Sequence, residues 1–227
     1  MSERILMLET STRNCSVALA EAGKLIAYAD EAGERYIHSE RLHGMIDELM
    51  RRAAWGYRQL AAVAVGSGPG SYTGLRIGVS AAKGLAFALD IPLISVSSLE
   101  ILGRGVEARE GFIVPMIDAR RMEAYTAVYD VRFNLLRKAE AEILDENSFS
   151  EWLSKGKVYF AGDATKKFQE ILHHTNAVFT RQYYPSARNM TVPVFEKYRQ
   201  KKFEDTAYFE PFYLKNFIAK KKKNPLL

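Results

Sequence analysis

Short, mostly apolar stretches over residues 5–8, 16–20 and 24–29, bounded by polar and turn-forming positions, predict three short strands. The second and third are joined by a turn at Glu21-Ala22-Gly23-Lys24. Apolar positions then recur at intervals of three and four: Leu42, Met45, Ile46, Leu49 and Ala53 mark one face of a helix capped near Ser39. A strand over 61–65 runs into a glycine-rich turn and a helix over 74–89. A strand over 92–95 follows, then a helix opened by Ser97, with Glu100 three residues on as a capping box. Beyond residue 105 the pattern predicts strands over 112–117, 124–129 and 135–143, and a helix from Ser148 with Glu151 closing its box. A strand over 158–161, a helix after Thr165, a short strand near Val178 and a longer helix over 187–201 complete the chain. The second half thus repeats much of the first, and in each an acidic residue, Glu9 or Asp118, ends the first strand before a tight turn. The repetition predicts a duplicated α/β fold of two mixed-sheet halves with flanking helices, 1–105 and 106–227.

Chemistry concentrates in Gly66-Ser67-Gly68-Pro69-Gly70-Ser71-Tyr72-Thr73-Gly74-Leu75-Arg76, where a strand turns into a helix. Free N–H groups at a helix start point toward an anion, and hydroxyls add donors. Gly68, Gly70, Ser71, Thr73 and Arg76, with Glu9 and Asp118 at the two strand ends, are therefore the candidate nucleotide or phosphate residues. The turn ends in no Gly-Lys-Ser/Thr and lacks the G-x-G-x-x-G spacing, so neither common phosphate fingerprint is present. A tight strand-to-helix connection accounts for the same glycines. Gly162-Asp163-Ala164-Thr165 is the candidate adenosine loop of the second half, and it is poor in glycine.

A chain of 227 residues buries about 70–75% of its unfolded surface and needs no disulfide or metal to hold a core. The single cysteine, Cys15, lies in an apolar alternation and reads as a core residue in a reducing, cytoplasmic setting. The first eight residues lack the basic start and long apolar stretch of a signal peptide, and no apolar run reaches the ~20 residues that span a bilayer. The net charge is +5, and four of the cations are Lys220 to Lys223; such a run is a solvated end or a nonspecific contact with RNA phosphates. No metal site is expected. His38 and His43 are five apart, which turns their rings about 140° from one another on a helix, and His173 and His174 are adjacent.

The run from Gly68 to Glu100 closely resembles the signature block of the bacterial TsaB (YeaZ) family. Supporting similarity lies in Glu9-Thr10-Ser11-Thr12, in Cys15-Ser16-Val17-Ala18-Leu19, in Ile117-Asp118-Ala119-Arg120-Arg121 and in Glu210-Pro211-Phe212-Tyr213-Leu214-Lys215-Asn216. The resemblance implies a duplicated actin/Hsp70-like ATPase (ribonuclease H-like) fold. It also implies a non-catalytic subunit of the complex that places threonylcarbamoyladenosine in tRNA. The implied partners are TsaD, in a direct heterodimer, and TsaE, with tRNA reached through the assembled complex and a homodimer formed when the chain is alone. No cofactor belongs to the chain itself on this view, although ATP or ADP is expected at the subunit boundary.

Helix 74–89 carries two apolar stripes, one of Leu75, Val79, Ala82, Ala86 and Leu89, the other of Ile77, Ala81, Gly84 and Ala88. Small residues at intervals of four, Gly74, Gly78, Ala82 and Ala86, predict close approach by another helix. Either the helix over 39–53 covers the second stripe, or a related subunit does. With the resemblance, the expected partner face comprises Leu42, Met45, Ile46, Leu49, Gly74, Leu75, Gly78, Val79, Ala82 and Ala86. Two rival classes stay open: an ATPase or small-molecule kinase using Glu9, Asp118 and the glycine turn, and a free-standing RNA-binding module using the lysine tail.

Overall fold

The computed structural model describes residues 3–33 and 37–215, so the expectation for Lys220 to Lys223 lies outside the described residues. Strands β1 (Arg4–Glu9), β2 (Asn14–Glu21), β3 (Lys24–Ala32), β4 (Ala62–Gly66) and β5 (Leu93–Val96) form one sheet in the order β3-β2-β1-β4-β5. Strands β6 (Phe112–Asp118), β7 (Glu123–Asp130), β8 (Leu135–Ile143), β9 (Val158–Ala161) and β10 (Ala177–Phe179) form a second, ordered β10-β9-β6-β7-β8. Numbered within its own half, each sheet runs 3-2-1-4-5. In each, the first three strands are joined antiparallel, and the last two extend the sheet parallel to the first. This is the duplicated actin/Hsp70-like, ribonuclease H-like architecture.

Helices α1 (His38–Arg52) and α2 (Tyr72–Leu89) cover one face of the first sheet. α2 begins at Tyr72, two residues before the pattern predicted, because the Ser71 hydroxyl accepts the Gly74 N–H at 3.3 Å as its N-cap. It ends at Asp90, whose left-handed φ of 52° closes the last turn ahead of Pro92. On the opposite face lie Ala187, Met190, Val194 and Phe195, from a 3-10 turn (Ala187–Met190) and α6 (Thr191–Arg199). The predicted helix over 187–201 is thus two pieces. The sheets divide near residue 105, but the cores do not, because this late segment returns to the first sheet.

Helices α3 (Ser98–Gly103), α4 (Ser150–Leu153) and α5 (Thr165–Gln169) are short. Neither expected capping box forms. Ser97 makes no side-chain cap while Glu100 pairs with Arg104, and Ser148 bonds Asp145 instead of starting a helix. In both places a nearer polar partner competes with the helix start.

Candidate functional site

Glu9, at the end of β1, is fully buried. Its Oε1 accepts the Ser11 N–H at 2.6 Å and its Oε2 accepts the Ser98 hydroxyl at 3.0 Å. Burial is the main influence on its carboxyl and raises its pKa, against the lowering effect of these hydrogen bonds. A Cβ at Gly66 would stand 2.0 Å from Glu9 Oε2, so this glycine makes room for the carboxylate. Ser98 also accepts the Gly68 N–H at 3.1 Å, and the Ser71 N–H reaches the Ser11 carbonyl at 2.7 Å. Cβ atoms at Gly70 and Gly74 would lie 2.3 Å from the Ser11 carbonyl and 2.2 Å from the Thr10 carbonyl. The glycines of the turn therefore serve close packing on the β1–β2 hairpin. His38 reinforces it, its Nε2–H donating to the Thr12 carbonyl at 2.7 Å.

In the second half Asp118 is exposed and forms an ion pair with Lys167. The same ammonium donates to the carbonyls of Arg121 at 2.6 Å and Glu123 at 2.7 Å. Lys167 thus ties the base of the β6–β7 hairpin from three sides. Asp163 accepts the Asp118 N–H at 2.8 Å, and burial pushes its carboxyl up to about 6. Arg120 and Arg121 have left-handed φ values of 72° and 53°, a conformation costing roughly 1–2 kcal/mol for each non-glycine residue. Gly162 is needed for packing, since a Cβ there would meet the Met116 carbonyl at 1.9 Å.

The C-terminal segment crosses between these two hairpins. The Phe212 N–H donates to the Ser67 carbonyl at 2.8 Å, and Tyr213 lies 5.1 Å from the Tyr72 ring with its hydroxyl 3.3 Å from Arg76 Nε. Lys83 holds the carbonyls of Ala207 and Phe209. At the far side Lys215 pairs with Glu123. A nucleotide with its metal does not fit this arrangement. Both oxygens of Glu9 are bonded inside the protein, the Gly68 and Ser71 amides already have protein acceptors, and Asp118 has the Lys167 ammonium as its cation.

The ten residues expected to meet a partner lie elsewhere. Leu42, Met45, Ile46, Leu49, Gly74, Leu75, Gly78, Val79, Ala82 and Ala86 are all buried in their own half, where α1 and α2 rest on the sheet. A Cβ at Gly78 would stand 2.2 Å from Thr10 Oγ1, so the small residues let α2 approach its own β1–β2 hairpin. The other stripe is the open one. Ser39, His43, Tyr72, Thr73, Arg76, Ile77, Ser80, Ala81, Gly84 and Leu85 line a groove of about 760 Å³ between α1 and α2. Gly44 and Gly84 are exposed, and a Cβ at either would touch nothing within 4 Å.

Of the remaining candidates, Cys15 is buried, with its thiol pushed up to about 12 by desolvation. No group of three or more metal-ligating side chains occurs among the described residues, nor is any helix there long and apolar enough to cross a membrane. Sequence reading missed Ser98 and Lys167, single polar residues with no motif of their own.

A family model described as TsaD, tRNA N6-adenosine threonylcarbamoyltransferase, matches residues 35–223. The tRNA threonylcarbamoyladenosine biosynthesis protein TsaB of Escherichia coli (strain K12) is 30% identical over 231 residues, 96% of this chain and 97% of its own length. The chain belongs to the TsaB (YeaZ) family. TsaB of Bacillus subtilis (strain 168) is 35% identical over 74% of each chain. The structure of YeaZ from Pseudomonas aeruginosa superposes with a TM-score of 0.83 at 27% identity, covering 93% of this chain and all of that one. The match to the Escherichia coli relative extends the likeness of Gly68 to Glu100 to nearly the whole chain, and the groove residues fall within the 35–223 matched by the family model.

Proposed function

We propose that this chain is a non-catalytic scaffold subunit of the tRNA N6-threonylcarbamoyladenosine modification complex, and that it holds the transferase TsaD in the groove between α1 and α2. The observation that carries the reading is the open groove itself, lined by Ile77, Ala81 and Leu85 beside the exposed Gly84. Glycine within an exposed helix costs about 1 kcal/mol against alanine, and the chain's own packing does not require it at Gly44 or Gly84. A facing helix would use that room. The TsaB names of the relatives and the match to a TsaD model support a related subunit as the occupant. A second copy of the chain takes the same groove when TsaD is absent. TsaE joins the assembled complex, and any ATP or ADP belongs at the boundary with TsaD.

Gly84→Leu tests this reading. A Cβ at this exposed position meets nothing within 4 Å, so the lone chain should keep its fold while affinity for TsaD falls by about 10- to 100-fold, measured by titration of the purified subunits. Unchanged affinity sinks the groove as the interface. Steady phosphate release from the lone chain that disappears in Asp118→Ala would favour the ATPase instead.

A further inference from the structure

We propose that the tip of the β6–β7 hairpin is an RNA-contacting surface on which Arg120 and Arg121 bind backbone phosphates; this rests on the reading that the chain works in a tRNA-modifying complex. The acids of the hairpin are already neutralised, Asp118 by Lys167 and Glu123 by Lys215. Arg120 and Arg121 are exposed, and neither forms an ion pair among the described residues. Two adjacent arginines without an ion-pair partner among the described residues therefore stand at the end of the hairpin.

The backbone adds an independent observation. Both arginines sit at left-handed φ, 72° and 53°, where hairpin turns ordinarily place asparagine or glycine. Neither side chain forms a hydrogen bond or ion pair among the described residues that would explain that choice, and strained positions cluster where a side chain is needed for function. The tip is also held in advance, because Lys167 fixes the carbonyls of Arg121 and Glu123 at 2.6 and 2.7 Å. Lys215, bound to Glu123, brings the chain to the same hairpin. Arginine forks suit phosphate oxygens. An exposed tip with Met122 beside it offers no enclosing wall for a lone nucleotide, whereas an extended polyanion can run across it.

The test uses the assembled complex with TsaD and an unmodified tRNA transcript, comparing wild type with Arg120→Gly/Arg121→Gly and Arg120→Lys/Arg121→Lys. Glycine suits the left-handed positions, so the hairpin persists while the charge is lost. Two phosphate contacts contribute about 1.8 to the slope of log affinity on log salt, so the wild-type complex should lose about tenfold more affinity than the glycine variant between 50 and 200 mM salt. The lysine variant should keep most of the wild-type slope. Equal slopes for wild type and glycine variant, with TsaD bound to both, overturn the RNA surface and leave the scaffold reading standing. Loss of ATP binding with tRNA binding unchanged also overturns it, assigning the arginines to a nucleotide. If wild type fails to bind TsaD, the scaffold reading falls, and the same titration on the lone chain decides the surface by the same slopes.

Discussion

Glu9 shows how one residue's surroundings reverse the reading of its type. An acid at a strand end before a glycine turn suggests a phosphate or metal site, yet this carboxyl is fully buried and bonded to Ser11 and Ser98. Its pKa is raised by burial, and burial likewise lifts that of Asp163 from its ordinary 3.8 to about 6. An acid whose pKa is higher in the folded state holds more protons there than in the unfolded chain, so stability falls as pH rises through the interval between the two values. For Asp163 that interval runs from about 4 to 6, and Glu9 extends the same trend upward from 4.5. Asp163→Asn keeps an acceptor for the Asp118 N–H and removes the ionisation. It should raise stability above pH 6 by roughly 1–3 kcal/mol relative to wild type and leave it nearly unchanged at pH 4. Urea midpoints at the two pH values provide the measurement; an equal shift at both would show that titration is not the cause.

At the scale of elements, α2 separates what the pattern of the sequence could settle from what it could not. Its length, its two stripes and the small residues at intervals of four were legible because helical period depends only on spacing. Which stripe faces the sheet was not, since Gly74 and Gly78 fit a partner helix and their own hairpin equally well in sequence. The contacts with Thr10 decide it, and Thr10 is more than sixty residues away in the chain. The duplication was legible for a similar reason, from the repeated succession of elements and two acid-ended strands, whereas Lys167 and Ser98 acquire their roles only once β6, β7 and α5, or β1 and α3, are brought together. The orientation of α2 makes a sharp prediction. Gly78→Leu forces side-chain carbons onto Thr10 and should destabilise the lone subunit by about 3 kcal/mol, lowering its melting temperature by roughly 6–12 °C for a chain of this size. A Gly78→Leu subunit that melts like wild type but no longer binds TsaD would restore the partner face to this stripe.

On the scale of the whole molecule, the two halves are joined by more than their connection at residue 105. The Asp30 carboxylate accepts from Asn14 and Ser16 of the first sheet and from Ser186, which follows the second, while Ala187, Met190, Val194 and Phe195 pack on the face of the first sheet opposite α1 and α2. The segment after Asp205 makes a separate tie, from Ser67, Arg76 and Lys83 across to Glu123. These ties differ in kind. The first includes a closed apolar core and should persist until global unfolding, whereas the second consists chiefly of exposed polar and ring contacts, the features of a locally opening segment. Ending the chain after Thr206 should therefore leave both sheets intact by circular dichroism, while amide hydrogen exchange over residues 66–75 accelerates at least tenfold, equivalent to about 1.4 kcal/mol of local opening. Protection in β6 should stay as it was. Unchanged exchange in the glycine turn would mean that the β1–β2 hairpin alone holds it. Loss of protection throughout both sheets would mean instead that the segment supports the global fold.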